Sequence, residues 1–383
     1  MKYLSRSRSA ALAAALMASV HIANAMAGWL PDRATIDGLL TSLGGDDRAD
    51  DTAATGWGLL PGPFYTPETS LGLGIALVGL YRTGDKRPET PLSSLTLSGF
   101  ASITGTFGFD FGSYNYFNGD RQRLFVHGGL VNQPTKYWGT GYIAGRDDDA
   151  QEYTAKSVDL WPQFYQRVVP SVWAGLGWRF SQLQASALED DEANAIHDTA
   201  DGAAVFSSGA SVHLLNDTRD FAPNPSRGHV LSVDYAAYRP AFGSDNTFDV
   251  LTTRFGGYLG LDPKTTLAFD LYGDFRAGAV PWNELSALGG DQRMRGYYNG
   301  RYRDRNTVST QIEWRHQLEW RHGIALWAGA GTLASRPSDL GAHVLPTFGV
   351  GYRFMFKPRV NVRLDLGIGR DSAGFYFQLG EAY

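Results

Sequence analysis

The side chains that most often carry out enzymatic chemistry form no recognisable constellation in this sequence. The chain has no cysteine, which excludes disulfides, thiolate catalysis and Cys-ligated metals. It has no Gly-x-Ser-x-Gly elbow of a fused lipase, and its histidines show no spacing that pairs them with a nucleophile or a second ligand. The eight histidines are His21, His127, His197, His213, His229, His316, His322 and His343. We therefore predict that the protein is not an enzyme and has no catalytic residues, no cofactor and no metal site.

Acidic residues are the other candidates for chemistry. Asp147, Asp148 and Asp149 are consecutive and have the charge to attract a divalent cation, but a run of this kind is usually a solvated loop. The formal net charge of −5 argues against nucleic acid as a partner. Aromatic residues make up 13% of the chain and glycines number 46, and this composition excludes an intrinsically disordered protein.

The N-terminus has the layout of a secretory signal peptide. A positively charged start and an apolar stretch over residues 10–20 precede a small-x-small cleavage site that ends at Ala25. The apolar stretch is too short to span a bilayer core of about 30 Å. We expect residues 1–25 to be removed by cleavage after Ala25, with Ala27 as the alternative position, and the mature protein to be exported.

Several later segments alternate between apolar and polar residues, as a half-buried strand does. Residues 308–318 place Glu313 on the polar face, and residues 360–368 place Asp365 there. The apolar faces are broad and rich in aromatic residues, which is typical of an outer-membrane barrel with lipid outside and a wet lumen inside. A sheet in lipid must close on itself to pair its main-chain groups. An antiparallel soluble sandwich is the alternative.

Counting these segments predicts an all-β fold, a transmembrane antiparallel β-barrel of 16 strands over residues 57–383. The predicted strands are 57–65, 70–82, 91–103, 106–117, 122–132, 152–166, 171–186, 203–215, 228–239, 246–260, 264–277, 306–319, 323–335, 344–356, 359–369 and 374–383. Short connections alternate with long ones, and short periplasmic turns with long surface loops are expected of such a barrel. Both termini then lie on the periplasmic side.

The chain ends inside the last predicted strand. Its side chains Phe375, Phe377, Leu379 and Tyr383 share one face by the alternation. Assembly machinery of the outer membrane reads a terminal aromatic strand as a signal, so we expect these residues to form the assembly strand and one side of the barrel's closing seam. A lipid-facing edge strand is the simpler interpretation.

Four segments resemble the bacterial surface antigen family, the outer-membrane barrels of the BamA/TamA type. They are Pro63-Phe64-Tyr65-Thr66-Pro67-Glu68-Thr69, the pair Asn216-Asp217-Thr218-Arg219-Asp220 and Asn224-Pro225-Ser226-Arg227-Gly228, Met294-Arg295-Gly296-Tyr297, and the stretch from Asp365 to Phe377. The resemblance covers residues 57–383. Arg-Gly-aromatic is a weak triplet alone, but here it falls in the sixth of eight surface loops of a 16-strand barrel.

The resemblance implies a role for the triplet Arg295, Gly296 and Tyr297. In the family this loop folds into the lumen, where its arginine pairs with acidic residues on late strands. The lumenal partners expected here are Glu313 and Asp365, and a guanidinium fork suits two carboxylates. Family members often carry an acid on the thirteenth strand, where this chain has Gly329. Because of that departure, we expect Arg295 to depend more on its pairing with Glu313 and Asp365. An exposed arginine that binds lipopolysaccharide phosphates is the alternative.

The region before the barrel departs from the family. Assembly and secretion members carry polypeptide-transport-associated modules there, whereas residues 26–56 are too few for one. We expect a periplasmic linker with one short amphipathic helix around Ile36 and Leu40, followed by the acidic residues 46–51. The helix is either part of a flexible tail or a plug at the periplasmic mouth.

The resemblance implies a protein of the Gram-negative outer membrane that assists insertion or translocation of protein or lipid through a seam between the first and last strands. Pro61 and Pro63 cannot donate ladder hydrogen bonds, which weakens the first strand. The alternatives are a passive channel plugged by the sixth loop, or a structural barrel without transport. The expected partners are outer-membrane lipids and lipopolysaccharide, the barrel assembly machinery, a client protein or lipid, and, as an open alternative, a second copy in a homodimer.

Overall fold

The computed structural model describes residues 32–42, 55–84, 90–187, 196, 199, 201–222, 224–357 and 359–383. The predicted signal peptide and the acidic part of the linker lie outside these residues. The chain forms two compact units, residues 1–46 and 47–383. The described part of the first unit is helix α1 (Arg33–Ser42), capped by the Asp32 carboxylate, which accepts a hydrogen bond from the Thr35 main-chain N–H (2.7 Å). No helix among the described residues is long and apolar enough to cross a membrane.

The second unit consists almost entirely of β-strands. They are β1 (Thr55–Thr66), β2 (Ser70–Tyr81), β3 (Ser93–Ser102), β4 (Phe107–Phe117), β5 (Gln122–Tyr137), β6 (Gln151–Val169), β7 (Val172–Ser186), β8 (Ala204–Asp217), β9 (Gly228–Tyr238), β10 (Phe248–Asp262), β11 (Thr265–Gly278), β12 (Ser286–Leu288), β13 (Tyr302–Asp304), β14 (Asn306–Gln317), β15 (His322–Ala334), β16 (Val344–Lys357), β17 (Val360–Ile368) and β18 (Ala373–Leu379). A short helix, α2 (Tyr142–Asp147), lies between β5 and β6.

Sixteen of these strands form one closed antiparallel barrel, in which sequential strands pair and β1 meets β18. The strands β12 and β13 are not part of it, because they pair with each other inside the connection between β11 and β14. The predicted fold and strand number are confirmed, and the closed sheet excludes the soluble sandwich. The twelfth barrel strand is therefore β14, and the sixteenth is β18.

The predicted alternation of faces is confirmed in the barrel wall. On β14, Ile312 is 46% exposed, whereas its neighbour Glu313 is fully buried. On β17, Leu366 is 47% exposed and Asp365 is fully buried. The exposed apolar side chains point outward, where lipid covers them, and the charged ones point into the lumen. The barrel therefore carries its charges on the inside.

Two strands are longer than the sequence predicted. The ladder between β5 and β6 continues as far as the pair Tyr137 and Gln151, so residues 133–137 are strand rather than loop. Their sequence is polar and contains Pro134, which looks like a loop. Ladder hydrogen bonds join main-chain groups and continue beyond the apolar band. The extended pair shortens the third surface loop and places α2 within it.

The end of the chain differs from the prediction. Phe375 and Leu379 are 43% and 40% exposed on the outer face of β18, but Tyr383 is 7% exposed and packs with Tyr258 and Ala268 of strands β10 and β11. The strand ends at Leu379, and Gly380 follows with φ of +86°. That left-handed conformation, which glycine adopts without strain, ends the alternation. Tyr383 therefore lies inside the barrel and does not share the face of the other three side chains.

The motif at residues 216–220 and 224–228 lies at the turn between β8 and β9, and hydrogen bonds of Asp220 account for part of it. The Asp220 carboxylate accepts hydrogen bonds from the main-chain N–H of Ser226 (2.9 Å) and of Arg227 (3.2 Å) and from Nη2 of Arg359 (2.7 Å). Burial alone would raise the pKa of Asp220, but the hydrogen bond from the Ser226 hydroxyl (2.6 Å), together with those from the main chain and Arg359, outweighs it and holds the pKa well below its ordinary value. The motif ties this turn to the turn that precedes β17.

The closed barrel predicts heat-modifiable migration. The folded protein, extracted from outer membranes in detergent, should run at a different position on a denaturing gel before boiling than after it. The reason is that a barrel whose strands are hydrogen-bonded around the ring resists the detergent until it is heated. Recovery of the mature protein from the soluble periplasmic fraction would contradict this interpretation of the fold.

Candidate functional site

The sixth surface loop, residues 279–305 between β11 and β14, holds the predicted Arg-Gly-Tyr triplet. It is built from a short 3-10 turn at Trp282–Glu284 and the hairpin of β12 and β13. Arg295 and Tyr297, near the middle of the loop, are 0% and 1% exposed. A surface loop whose central side chains are this deeply buried lies inside the barrel. We call residues 279–305 loop 6.

The structure brings Arg295 together with both of its predicted partners. Its Nη1 donates to Oδ2 of Asp365 at 2.7 Å, and its Nη2 donates to Oε2 of Glu313. All three side chains are fully buried. The two carboxylates come from β17 and β14, so the arginine joins two strands that are not neighbours in the barrel.

Strand β15 contacts Arg295 although it has Gly329 in place of the expected acid. The guanidinium stacks over the ring of Trp327, two residues earlier on the same inward face, at 3.6 Å from the ring centre. A Cβ at Gly329 would lie 2.6 Å from the carbonyl oxygen of Thr310. The strand therefore has no room for an acid at this position and contacts the arginine through an aromatic face.

Arg295 belongs to a larger ion-pair network that the sequence analysis missed. Arg315 donates to Glu313 (2.7 Å), and Arg353 and Arg363 both donate to Asp365 (2.6 and 2.8 Å). Arg353 also reaches Glu381 (2.9 Å), and Arg363 reaches Asp291 (2.7 Å). Within the described residues, the network linked to Arg295 holds four guanidinium groups and four carboxylates. Its members, called the ion cluster below, are Arg295, Arg315, Arg353, Arg363, Asp291, Glu313, Asp365 and Glu381.

Part of this cluster had a sequence signal. Arg315 follows Glu313 by two residues, and Arg363 precedes Asp365 by two, so the strand period already placed each pair on one face. Arg353 had no such signal. It reaches Asp365 because β16 and β17 align Gly351 opposite Asp365, and a Cβ at Gly351 would lie 2.3 Å from the Asp365 carboxylate.

The other two residues of the triplet fix the loop to late strands. The Gly296 main-chain N–H donates to the hydroxyl of Tyr376 on β18 (2.9 Å). The Tyr297 hydroxyl donates to the Pro346 carbonyl oxygen (2.7 Å) and accepts from the Arg370 N–H (2.8 Å). Gly296 has φ of +108°, and a Cβ there would lie 2.7 Å from the Gly369 nitrogen. Both its conformation and its surroundings therefore require glycine.

The seam between the first and last strands is nearly unpaired. Among the described residues of β1 and β18, the register contains the single pair Tyr65 and Phe377. By contrast, β1 pairs with β2 along its whole length, from Thr55–Tyr81 to Thr66–Ser70. Phe375 packs its ring against Tyr65 at 5.6 Å between centres. Of the predicted seam residues, Phe375, Phe377 and Leu379 lie on β18, and Tyr383 lies beyond it.

One histidine has partners that the sequence analysis did not recognise. The Nε2 of His213 lies 2.8 Å from the Ser211 hydroxyl, and its Nδ1 lies 2.5 Å from Oδ1 of Asp234. His213 and Asp234 face each other across β8 and β9, a relation that needs the register. Ser211 is 5% exposed. The three residues form a hydrogen-bonded link between two strands.

Two of the three acidic residues in the third surface loop form hydrogen bonds or ion pairs. Asp148 accepts a hydrogen bond from the indole N–H of Trp138 (3.0 Å) and lies 3.4 Å from Arg301. Asp147 pairs with Arg146 (2.7 Å). The described residues contain no group of three or more His, Cys, Asp or Glu side chains arranged to hold a metal ion.

The fold and loop 6 together define an integral β-barrel of the Gram-negative outer membrane. The chain belongs to the Omp85 superfamily, because the domain model of that superfamily matches residues 95–383. The resemblance found in the sequence is thereby confirmed. No curated protein sequence matches the chain.

Solved structures with the same fold are distant in sequence. BamA from Haemophilus ducreyi lacking POTRA domains 1–3 has a TM-score of 0.53 at 14% identity, covering 84% of this chain and 69% of that one. CdiB from Acinetobacter baumannii has 0.55 at 14% identity, covering 85% and 60%. CdiB from Escherichia coli has 0.57 at 12% identity, covering 85% and 62%. The chain thus spans less than two thirds of the CdiB chains, and these likenesses concern the fold alone.

The ion cluster predicts the cost of removing its central arginine. Arg295→Ala should lower the free energy of unfolding by about 3 kcal/mol, near the lower end of the range for breaking a buried pair. The lower end applies because Arg315, Arg353 and Arg363 keep the two carboxylates paired. Arg295→Lys should restore only part of the loss, since an ammonium group lacks the fork. The measurement is unfolding of the purified barrel in detergent, followed by the gel shift.

A second substitution tests whether charge balance is the cause. Without Arg295 the cluster has one carboxylate in excess, so Glu313→Gln in the Arg295→Ala background should recover part of the stability. Adding Asp365→Asn as well should reverse that recovery, because the arginines are then in excess. Strictly additive losses for all three substitutions would mean that the charges do not act as one network.

Proposed function

We propose that this barrel assists the insertion or translocation of protein or lipid at the outer membrane, through the seam between β1 and β18. The observation that carries the proposal is the single residue pair, Tyr65 and Phe377, that joins these strands. A ladder with one pair costs far less to open than the full ladders elsewhere in the wall. The proposal extends to this chain what its membership of the Omp85 superfamily suggests.

The seam strands are mismatched in ways that favour weak pairing. Strand β1 has 12 residues and β18 has seven, so part of the edge of β1 extends beyond its partner. Pro61 and Pro63 have no N–H to donate. Unpaired main-chain groups at bilayer depth are costly, each by several kcal/mol. An incoming strand that pairs with the free edge would relieve that cost, which is the physical basis of strand addition.

Loop 6 supports passage at the seam over passage through the lumen. Its buried centre, around Arg295 and Tyr297, fills the space next to β14–β18. A passive channel would need this loop to leave the ion cluster. Between the two seam strands themselves, opening separates one main-chain residue pair. The expected partners are accordingly a client protein or lipid and the assembly machinery, with lipopolysaccharide at the surface.

A cross-link at the seam tests the proposal. Tyr65→Cys with Phe377→Cys places two cysteines at the paired position, where Cβ atoms are close enough for a disulfide, and no native cysteine competes. The oxidised barrel in liposomes should lose its acceleration of the folding of an added, urea-unfolded outer-membrane barrel. Reduction should restore it. Folding of the added barrel is followed by its own gel shift.

The matched control cross-links two strands that are fully paired. Val212→Cys with Tyr235→Cys joins outward-facing, directly opposed residues of β8 and β9. This disulfide should leave activity unchanged in both redox states. If the locked seam is as active as the control, the seam is not the route, and the channel and the structural barrel remain as alternatives.

A further inference from the structure

Loop 6 contacts both sides of the weak seam within four residues. The Gly296 N–H donates to the Tyr376 hydroxyl of β18 at 2.9 Å. The Asn299 N–H donates to Oε1 of Glu68 at 2.6 Å. Glu68 lies in the three-residue turn, residues 67–69, that joins β1 to β2. The loop therefore holds the last strand with one main-chain group and the first hairpin with another.

The segment between these two contacts is held rigidly. Tyr297 is anchored by hydrogen bonds to Pro346 and Arg370, and the Tyr298 hydroxyl lies 3.2 Å from the Thr135 hydroxyl of β5. The Tyr298 ring also packs edge-on against Trp138 at 5.1 Å. These contacts hold the main-chain groups of Gly296 and Asn299 in place, so both sides of the seam are attached to one anchored segment of loop 6.

The carboxyl group of Glu68 is partly removed from solvent, although the residue lies in a turn. Burial under loop 6 raises the pKa of its carboxyl group, although the hydrogen bond from Asn299 acts in the opposite direction. Among the residues that the structure describes, no Lys, Arg or His side chain forms an ion pair with Glu68. The half-buried carboxylate is hydrogen-bonded within its own turn by Thr66 and across to loop 6 by the Asn299 main-chain N–H. The second of these contacts attaches the first hairpin to the loop.

We propose that residues 296–299 of loop 6 form a latch across the β1/β18 seam, with Glu68 as the positioning residue on the β1 side and Tyr376 on the β18 side. The latch is distinct from the ion cluster, which anchors loop 6 to β14–β18 only. It supplies from inside the barrel the attachment that the two edges lack between themselves. The role of the latch in controlling seam opening rests on the proposed function. Its effect on the stability of the seam in the barrel without a client does not.

Hydrogen–deuterium exchange of the purified barrel, without any client, tests the latch. Glu68→Ala should speed amide exchange about tenfold in β1 and also in β18, on the far side of the seam, as expected for losing a hydrogen bond to a charged group. Glu68→Gln keeps an acceptor of the same shape without the buried charge, so exchange should remain close to that of the unmodified protein. Tyr376→Phe should reproduce the effect of Glu68→Ala while preserving the packing of the ring.

The matched control lies in the same turn. Thr69 is hydrogen-bonded to the Thr66 hydroxyl, and no hydrogen bond joins its side chain to the described residues of loop 6. Thr69→Val should therefore speed exchange only at the turn. The double variant Glu68→Ala with Tyr376→Phe should exchange no faster at the seam than either single variant, because either loss opens the same latch.

Two results would overturn the latch. One is an effect of Glu68→Ala that stays within loop 6 and the first hairpin while β18 is unchanged. The other is additive acceleration in the double variant. Both measurements concern the resting barrel, so they stand even if the cross-linked seam proves active. Conversely, a failure of the latch leaves the seam cross-linking result intact.

Discussion

The main-chain groups of a sheet in lipid need partners, because no water is present to replace them, and the closed ring of sixteen strands follows from this requirement. A ring made from one chain must join its first strand to its last. Every other junction is between strands that follow one another along the barrel and are joined directly by a turn or loop. The β1/β18 junction has no such turn, and it contains the single pair of Tyr65 and Phe377. The weakest place in the wall is thus a consequence of closure.

The interior compensates for what the wall lacks. Loop 6 is anchored through Arg295 to Glu313 and Asp365, and its next residues reach β18 and the turn after β1. The ion cluster holds four guanidinium groups and four side-chain carboxylates, and Arg295, Glu313 and Asp365 at its centre are fully buried. Such a cluster adds little net stability compared with apolar packing, but it penalises any arrangement that separates its members. Its effect is to give loop 6 one position.

Glycines in the late strands leave room for the side chains of the ion cluster. Gly351 leaves room for the Asp365 carboxylate, and Gly329 leaves room beside Gln311, while Trp327 provides the flat surface under Arg295. The glycine-rich late strands are therefore part of the site. A lumen lined only with large side chains would keep loop 6 out.

The sequence by itself determined the periodic features of this protein. Alternation assigned Glu313 and Asp365 to the lumen, and it held the signal for Arg315 and Arg363, because the period of a strand is local and needs no knowledge of its neighbours. The triplet at Arg295 became informative once the strands were counted. Strand ends were less clear, as the polar continuation of β5 to Tyr137 demonstrates.

Only the tertiary structure decided which residues meet across strands. Arg353 approaches Asp365, and His213 approaches Ser211 and Asp234, through a register that depends on every turn in between. The left-handed backbone at Gly380 decided the position of Tyr383. The alternation of side chains along a strand does not predict such a change of direction. The sparse pairing of β1 with β18 and the link from Glu68 to Asn299 join residues hundreds of positions apart in the chain. They exist only when the ring has closed, since closure alone brings the two ends of the sheet to one place.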